Sequence, residues 1–380
     1  MDLIAGRVWA DERRPIRHLD PVLLITALLL AVAGLFLVYS ATHQSLTTLG
    51  LDPAQFLTKQ FTAFVLGFVL LLLIAAFDYR FYKVYAGFFY GAAVVALAIV
   101  RFTPLGSNPT GAQRWFTFGG FQLTPSEFAK IALMIMIAAV LSELRTAEPM
   151  LVDVLRVTLI AIVQMGLVFI QPDIGTTIVL VAILVGTLVV AGTRPRHLAV
   201  LAITALALIF GAFQLNVIKG YQLDRLSAFL DSSSDTQGAN YNRIQAEIAI
   251  GSGGLVGQGY LNGRLTNLDF VPEQHTDFIF TVAGEEFGFA GAAFILALFA
   301  ILMWRAIRIS YLSKDAFGTY VAAGIAAMFA IQMFVNVGMV IGIMPITGIP
   351  LPFVSYGGSS MLANFAAVGL LLNIHMRRFT

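Results

Sequence analysis

Glu273, His275 and Asp277 stand at alternating positions in Val271-Pro-Glu-Gln-His-Thr-Asp277-Phe-Ile-Phe, immediately before a long apolar run. Two chemistries suit that spacing. A carboxylate at a water–lipid boundary is desolvated, which raises its pKa and fits Asp277 for general-base work. Alternatively, the imidazole and the two carboxylates are candidate ligands for a divalent metal. A plainer role for Asp277 is to cap the following helix. Within the same apolar run lie Glu285 and Glu286. An ionisable group inside a membrane span costs about 2.5–3.5 kcal/mol, so one of the two is expected to face an internal polar cavity or to meet a cation.

Two more clusters carry charge where charge is expensive. In Thr124-Pro-Ser-Glu127-Phe-Ala-Lys130 a helix start is signalled by Thr-Pro, with Glu127 in the first turn, where the helix dipole favours it. Lys130 is three residues on, close enough along a helix to pair with Glu127. In Gln171-Pro-Asp173-Ile-Gly-Thr176, Asp173 either caps a helix or contacts a polar headgroup. Other chemistry is excluded. The chain has no cysteine, hence no thiol nucleophile, disulfide or iron–sulfur site. It has no Ser-His-Asp set and no His-Glu-x-x-His. The stretch 251–259, Gly-Ser-Gly-Gly-Leu-Val-Gly-Gln-Gly, lacks the Gly-Lys-Ser/Thr ending of a phosphate loop. It reads as a bend between helices, or as a loop whose bare backbone approaches a ligand. His18, His197 and His375 fall at span ends, where packing explains them better than metal binding, and His43 stands alone.

The elements that must position these groups are membrane helices. Hydrophobic residues make up 58% of the 380 and charged ones 12%, about half the ~25% usual for soluble chains. A net charge of +2 is too small for a nucleic-acid footprint, so no nucleic-acid partner is expected. Ten apolar runs can each cross a bilayer: 22–41, 56–77, 84–101, 126–141, 153–170, 175–191, 198–214, 278–304, 316–341 and 358–375. The expected fold is therefore all-α and polytopic. It has a cytoplasmic tail over 1–20, one ten-span membrane domain over 21–377, a short cytoplasmic end over 378–380, and an uncleaved first span. Lys and Arg set the orientation. With the N-terminus inside, Arg7, Arg13, Arg14, Arg17, Arg80, Lys83, Arg145, Arg156, Arg194, Arg196, Arg305, Arg308, Lys314, Arg377 and Arg378 lie inside. The smaller set of Lys59, Arg101, Arg114, Lys219, Arg225, Arg243 and Arg264 lies outside. Both termini are then cytoplasmic and the three charged clusters lie toward the exterior. Between spans seven and eight, the extracytoplasmic loop 215–277 is too long for a connector. It is expected to hold an interfacial helix over Lys219–Asp231 and a second helix over Tyr241–Ile250, with Tyr241, Ile244 and Ile248 on one face.

The C-terminal stretch from Asn336 to Ser360, with Gly342, Pro345, Gly348, Pro350, Pro352, Ser355, Gly357 and Gly358 in place, resembles the signature of the SEDS family of shape, elongation, division and sporulation proteins. The stretches around Asp277, Gly284–Gly288, Gln171–Thr176, Pro125–Lys130, Arg114-Trp115 and Ile250–Gly254 match too, in the family's order, over essentially the whole chain past residue 20. Pro345-Ile-Thr-Gly-Ile-Pro350 is more like the RodA elongation branch than the FtsW division branch.

The resemblance implies a peptidoglycan glycosyltransferase that polymerises lipid II, the disaccharide-pentapeptide on undecaprenyl pyrophosphate, at the outer face of the bacterial cytoplasmic membrane. It implies a class B penicillin-binding protein as partner, together with other membrane proteins of the elongation complex. Asp277 matches the family's catalytic aspartate, with Glu127 and Lys130 beside it in a central cavity. Trp115, Asp173, His275, Glu285, Glu286 and Ser355 are further cavity candidates on these motifs. The departing pyrophosphate needs positive charge. Lys130, Arg114 and Arg243 are candidates, and a divalent ion such as Mg or Mn is a further one; no organic cofactor is expected. The partner's transmembrane helix is expected on the eighth and ninth spans, where Phe287, Phe294, Phe299 and Phe329 are apolar candidates. A division polymerase, a flippase for lipid-linked precursors and a structural scaffold for the wall machinery are the alternative readings.

Overall fold

The computed structural model describes residues 18–104, 106–107, 113–118, 121–144, 148–214 and 239–378. The tail arginines Arg7, Arg13, Arg14 and Arg17, with Arg145, Lys219, Arg225 and the expected helix over Lys219–Asp231, fall outside the described residues. The described part is thirteen helices and one small sheet. In chain order these are α1 (Pro21–Thr48), α2 (Gln55–Ala76), α3 (Tyr79–Val84), α4 (Ala86–Phe102), β1 (Gly106–Ser107), β2 (Trp115–Phe118), β3 (Phe121–Leu123), α5 (Pro125–Ser142), α6 (Leu151–Ile170), α7 (Ile174–Val190), α8 (Pro195–Gln214), α9 (Ala239–Ser252), α10 (Arg264–Asn267), α11 (Ile279–Leu312), α12 (Ala316–Val340) and α13 (Gly358–Met376).

A helix occupies each of the ten expected spans. Seven of them are long and apolar enough to cross a membrane, and α4, α7 and α8 are shorter apolar helices. Their starts are written locally. Asp20 accepts from the Leu23 N–H with Pro21 in the first turn of α1. Asp315 accepts from the Gly318 N–H at 2.8 Å to open α12. The interior is built inside out relative to a soluble protein. The most buried spans, α5, α12 and α13, are less apolar than α1, α2, α6 and α11. Lipid solvates apolar side chains on outer helices, while polar groups are tolerated only where protein surrounds them. Thus α13 packs chiefly on α2 and carries buried Asn364 and Asn373, and α12 packs on α11, α7 and α5.

Three features depart from expectation. A three-stranded antiparallel sheet, β1–β2–β3, stands between α4 and α5, with Phe116 opposite Leu123. Its strands are too short to show a period in the sequence. The expected helix over 241–250 is present as α9, but its buried face is Ala246 and Ala249, and Ile248 is exposed. Small side chains let α9 approach α11 closely: a Cβ on Gly284 would stand 2.9 Å from Ile250. Finally, Phe299 and Phe329 are fully buried and only Phe287 and Phe294 of the four expected surface phenylalanines are exposed. The first two fill the gaps between α11, α12 and the segment holding Phe353.

Candidate active site

A cavity of about 500 Å³ opens at one end of the bundle, the size of an ordinary ligand site. Five spans begin there: Phe56 and Lys59 line it from α2, Ser126 and Glu127 from α5, Asp173 and Thr176 from α7, Asp277 from just before α11, and Gly358, Ser359 and Ser360 from α13. The partial positive charge of a helix start favours anions, so convergent starts bias this cavity toward a negatively charged ligand.

Each wall is held by specific bonds. Thr124 follows β3 and precedes Pro125, which takes the first helical position, where a missing N–H costs nothing. Ser359 ties the two together: its hydroxyl accepts from the Thr124 N–H at 2.8 Å and donates to the Gln122 carbonyl at 3.1 Å. Glu127 reaches the cavity, and Lys130 stands behind it with Nζ 2.8 Å from the carboxylate. Their side chains are 9% and 2% exposed, so each charge depends on the other. Arg114 donates from Nε to the Gln171 carbonyl at 2.8 Å and from a terminal nitrogen to the Pro172 carbonyl. Asp173 caps α7 through the Thr176 N–H at 3.0 Å and hydroxyl at 2.8 Å. The capping and cavity roles of Asp173 therefore coexist. Trp115 lines the wall from β2.

The floor is the segment before α11. Glu273 adopts φ +53°, an unusual conformation for a side-chain-bearing residue. The His275 ring lies 5.0 Å from that of Phe56 and 5.6 Å from that of Tyr356. Burial pushes its pKa below the usual 6.5, against the upward pull of Glu273 and Asp269. Asp277 lines the cavity and is not the α11 cap; that position is Phe278. Glu273 accepts from the Thr276 hydroxyl. Among the described residues no three His, Asp or Glu side chains gather to hold a metal. Glu273, His275 and Asp277 share the cavity without forming a protein-only cage, because His275 is packed among rings and Glu273 turns toward Thr276.

Several candidates lie elsewhere. Among the described residues, Glu285 and Glu286 face neither the cavity nor a cation. Glu285 accepts from the Leu265 N–H at 2.8 Å, the Thr266 N–H at 3.0 Å and the Thr266 hydroxyl at 2.7 Å, holding the start of α10. Glu286 accepts from the Leu261 N–H at 3.1 Å and from the Ser40 hydroxyl. Backbone N–H groups supply the compensation for burial that a cation was expected to supply. The glycine-rich stretch also approaches protein, not a ligand: Gln258 and Gly259 N–H groups donate to the Glu285 and Glu286 carbonyls where α11 breaks at Gly288. Arg243 is outside the lining and pairs with Glu247 at 3.2 Å beside Gly342. Ser355 braces a turn, its hydroxyl accepting from the Leu351 N–H at 2.8 Å. Conversely, Phe56, Lys59, Gly348, Tyr356 and Ser359 line the cavity and were not singled out. Of these, Lys59 stands out in the sequence as a charge within an apolar run, and Gly348, Tyr356 and Ser359 only as members of the C-terminal signature.

Residues 20–379 match a family model described as "Cell cycle protein" and covering FtsW, RodA and SpoVE. The chain is 38% identical over 365 residues to the "Probable peptidoglycan glycosyltransferase FtsW" of Trichlorobacter lovleyi, covering 95% of each. It is 35% identical over 361 residues to the "Peptidoglycan glycosyltransferase MrdB" of Escherichia coli K12, covering 95% of this chain and 94% of that one. A solved chain from work titled "Structural coordination of polymerization and crosslinking by a peptidoglycan synthase complex" superposes with TM-score 0.77 at 29% identity, covering 95% of this chain and 99% of that one. On a match spanning nearly all its length, and with the multi-span helical fold to go with it, this chain belongs to the FtsW/RodA/SpoVE family of SEDS membrane proteins.

Proposed function

We propose that this SEDS-family peptidoglycan glycosyltransferase polymerises lipid II into β-1,4-linked glycan at the outer face of the cytoplasmic membrane, with Asp277 as general base. The observation that carries the reading is that Asp277 shares one cavity with Glu127, Lys59 and Arg114, at the end where five spans begin. In the reaction, a sugar hydroxyl of the acceptor gives its proton to the Asp277 carboxylate as its oxygen bonds the anomeric carbon of the donor. The bond from that carbon to the pyrophosphate oxygen breaks, and the electron pair leaves with the pyrophosphate. One displacement inverts the α-linked donor to a β linkage. Lys59, Arg114 and the helix starts stabilise the charge developing on the pyrophosphate. The polyprenyl chain stays in lipid beside the cavity.

The basic residues of the opposite end, including Arg80, Lys83, Arg194, Arg196, Arg305, Arg308, Arg377 and Arg378, support a cytoplasmic location for that end, with both termini inside. The Pro345–Pro350 turn supports the elongation branch. The similar chain titled for coordinated polymerization and crosslinking supports a class B penicillin-binding protein as partner. The test is polymerisation of lipid II by the purified protein with its transpeptidase. Asp277→Ala abolishes glycan while the thermal unfolding midpoint stays put. Undiminished polymerisation by Asp277→Ala overturns the reading.

A further inference from the structure

Phe278, the residue that opens α11, offers no side-chain cap, so the approach to this helix is held in place from outside it. One hold is the Tyr356 N–H, which donates to the His275 carbonyl at 2.9 Å. Another is Asn336, fully buried on α12 four residues before its end. Its Nδ2 donates to the Asp277 carbonyl and to the Ile349 carbonyl, both at 2.8 Å. A carboxamide nitrogen carries two N–H groups, so one atom bridges two backbone acceptors, and both partners being carbonyls fixes which way the amide faces. The Asn336 Oδ1 has no hydrogen-bond partner among the described residues. A buried acceptor left unmet is costly, so the side chain is explained by its two donated bonds and not by general polar packing.

The second acceptor joins Asp277 to the segment that faces it. Gly348 has φ +73°, and a Cβ there would stand 3.3 Å from the Asp277 Oδ2. That segment is pressed from behind by α7: a Cβ on Gly175 would meet the Thr347 carbonyl at 2.9 Å and Ile349 at 2.7 Å. The Asp277 carboxylate therefore lies against backbone whose neighbouring carbonyl hangs on the same amide as its own. Glycine at 348 permits the approach, and Asn336 sets its register.

We propose that Asn336 is the positioning residue for Asp277, holding the carboxylate in reach of the acceptor hydroxyl by fastening Asp277 and Ile349 together. The inference rests on the reading of Asp277 as the base. A displacement near 1 Å of a reacting group can cost on the order of 10²-fold in rate. The experiment compares wild type, Asn336→Leu, Asn336→Ser and Asp277→Asn, each purified with the transpeptidase partner. It measures kcat and KM for lipid II per folded molecule, the pH dependence of kcat, and the thermal midpoint. Both Asn336 variants are expected to lose on the order of 10²-fold in kcat, with KM little changed and the acidic limb of the pH profile displaced. A merely structural asparagine lowers the midpoint and the folded yield but leaves kcat per folded molecule and the pH profile where they were; that result overturns the proposal. If Asn336→Leu does not fold, Asn336→Ser, which has room for water and keeps one donor, decides on the same readouts. Should Asp277→Asn polymerise like wild type, the base assignment fails and this inference with it. Should Asp277→Asn be inactive while the Asn336 variants match wild type, only the positioning role fails.

Discussion

Glu127 and Lys130 show what burial does to a charge that the sequence makes conspicuous. Their ion pair is 2.8 Å long and almost sealed from solvent. Removing one partner leaves the other charge buried alone, a cost of about 3–5 kcal/mol. Lys130→Met and Glu127→Gln should each lower unfolding stability by roughly that amount. The double variant should recover a large part, a coupling readable from a double-mutant cycle in detergent denaturation. His275 carries a pH prediction. Its folded pKa lies below the unfolded 6.5, so below that pH the unfolded chain binds more protons and stability drops. Comparing unfolding midpoints across pH 4–8 (about the window in which the imidazole titrates), His275→Gln should be less acid-sensitive than wild type. Equal slopes would remove burial of this ring as the cause. Glu127, Lys130, Asp173 and Asp277 were legible in the sequence because ionisable groups stand out in apolar runs. Tyr356 and Ser359 were not, since an aromatic ring or a hydroxyl near a membrane helix is ordinary until tertiary contact brings it to a cavity.

At the scale of elements, the instructive case is the broken α11 and the glycine-rich loop that fills its break. Gly288 sits at φ +63°, and a Cβ there would approach the Gly257 nitrogen to 2.4 Å. The sequence marked these glycines as a bend or as a ligand loop; the partner that bares the backbone is a helix some thirty residues away, which no local pattern reveals. The same blindness explains Glu285 and Glu286, whose donors are the Leu261, Leu265 and Thr266 N–H groups and the Thr266 and Ser40 hydroxyls, all distant in sequence. Helix spans, by contrast, were readable because a bilayer demands continuous apolar runs, although α1 and α11 run on past the expected 41 and 304 to Thr48 and Leu312, where the helix leaves the apolar stretch. Gly288→Ala should undock the loop, as positive-φ strain of about 1–3 kcal/mol adds to the clash. Glu285→Ala should do the same by leaving two N–H groups unmet. Both should speed proteolytic cleavage between residues 253 and 267 without changing helix content by circular dichroism. Protection equal to wild type in both variants would show that the break does not hold the loop.

At the scale of the whole molecule, the cavity lies at one end and side-chain ties join the helices at both. Opposite the cavity, Asp20 accepts from Arg305 in a buried ion pair, Tyr79 donates to Asp315 at 2.6 Å, and Arg377 donates to the Ala75 and Ala76 carbonyls. These bonds join α1 to α11, α3 to α12 and α13 to α2, and they mark the clasped end of the bundle. The function proposed here requires that the open end face outward, and the chain's lack of cysteine makes this directly measurable. Thr48 is exposed at the cavity end and Lys314 is exposed at the clasped end. In right-side-out vesicles, a membrane-impermeant maleimide should label Thr48→Cys at once and Lys314→Cys only after permeabilisation. Neither position belongs to the cavity, so both variants should still polymerise lipid II, and the labelled molecules are then known to be the working ones. The reverse labelling pattern in active protein would put Asp277 on the cytoplasmic side, where a glycan could not be laid down outside the cell, and the direction of the whole reaction would have to be redrawn.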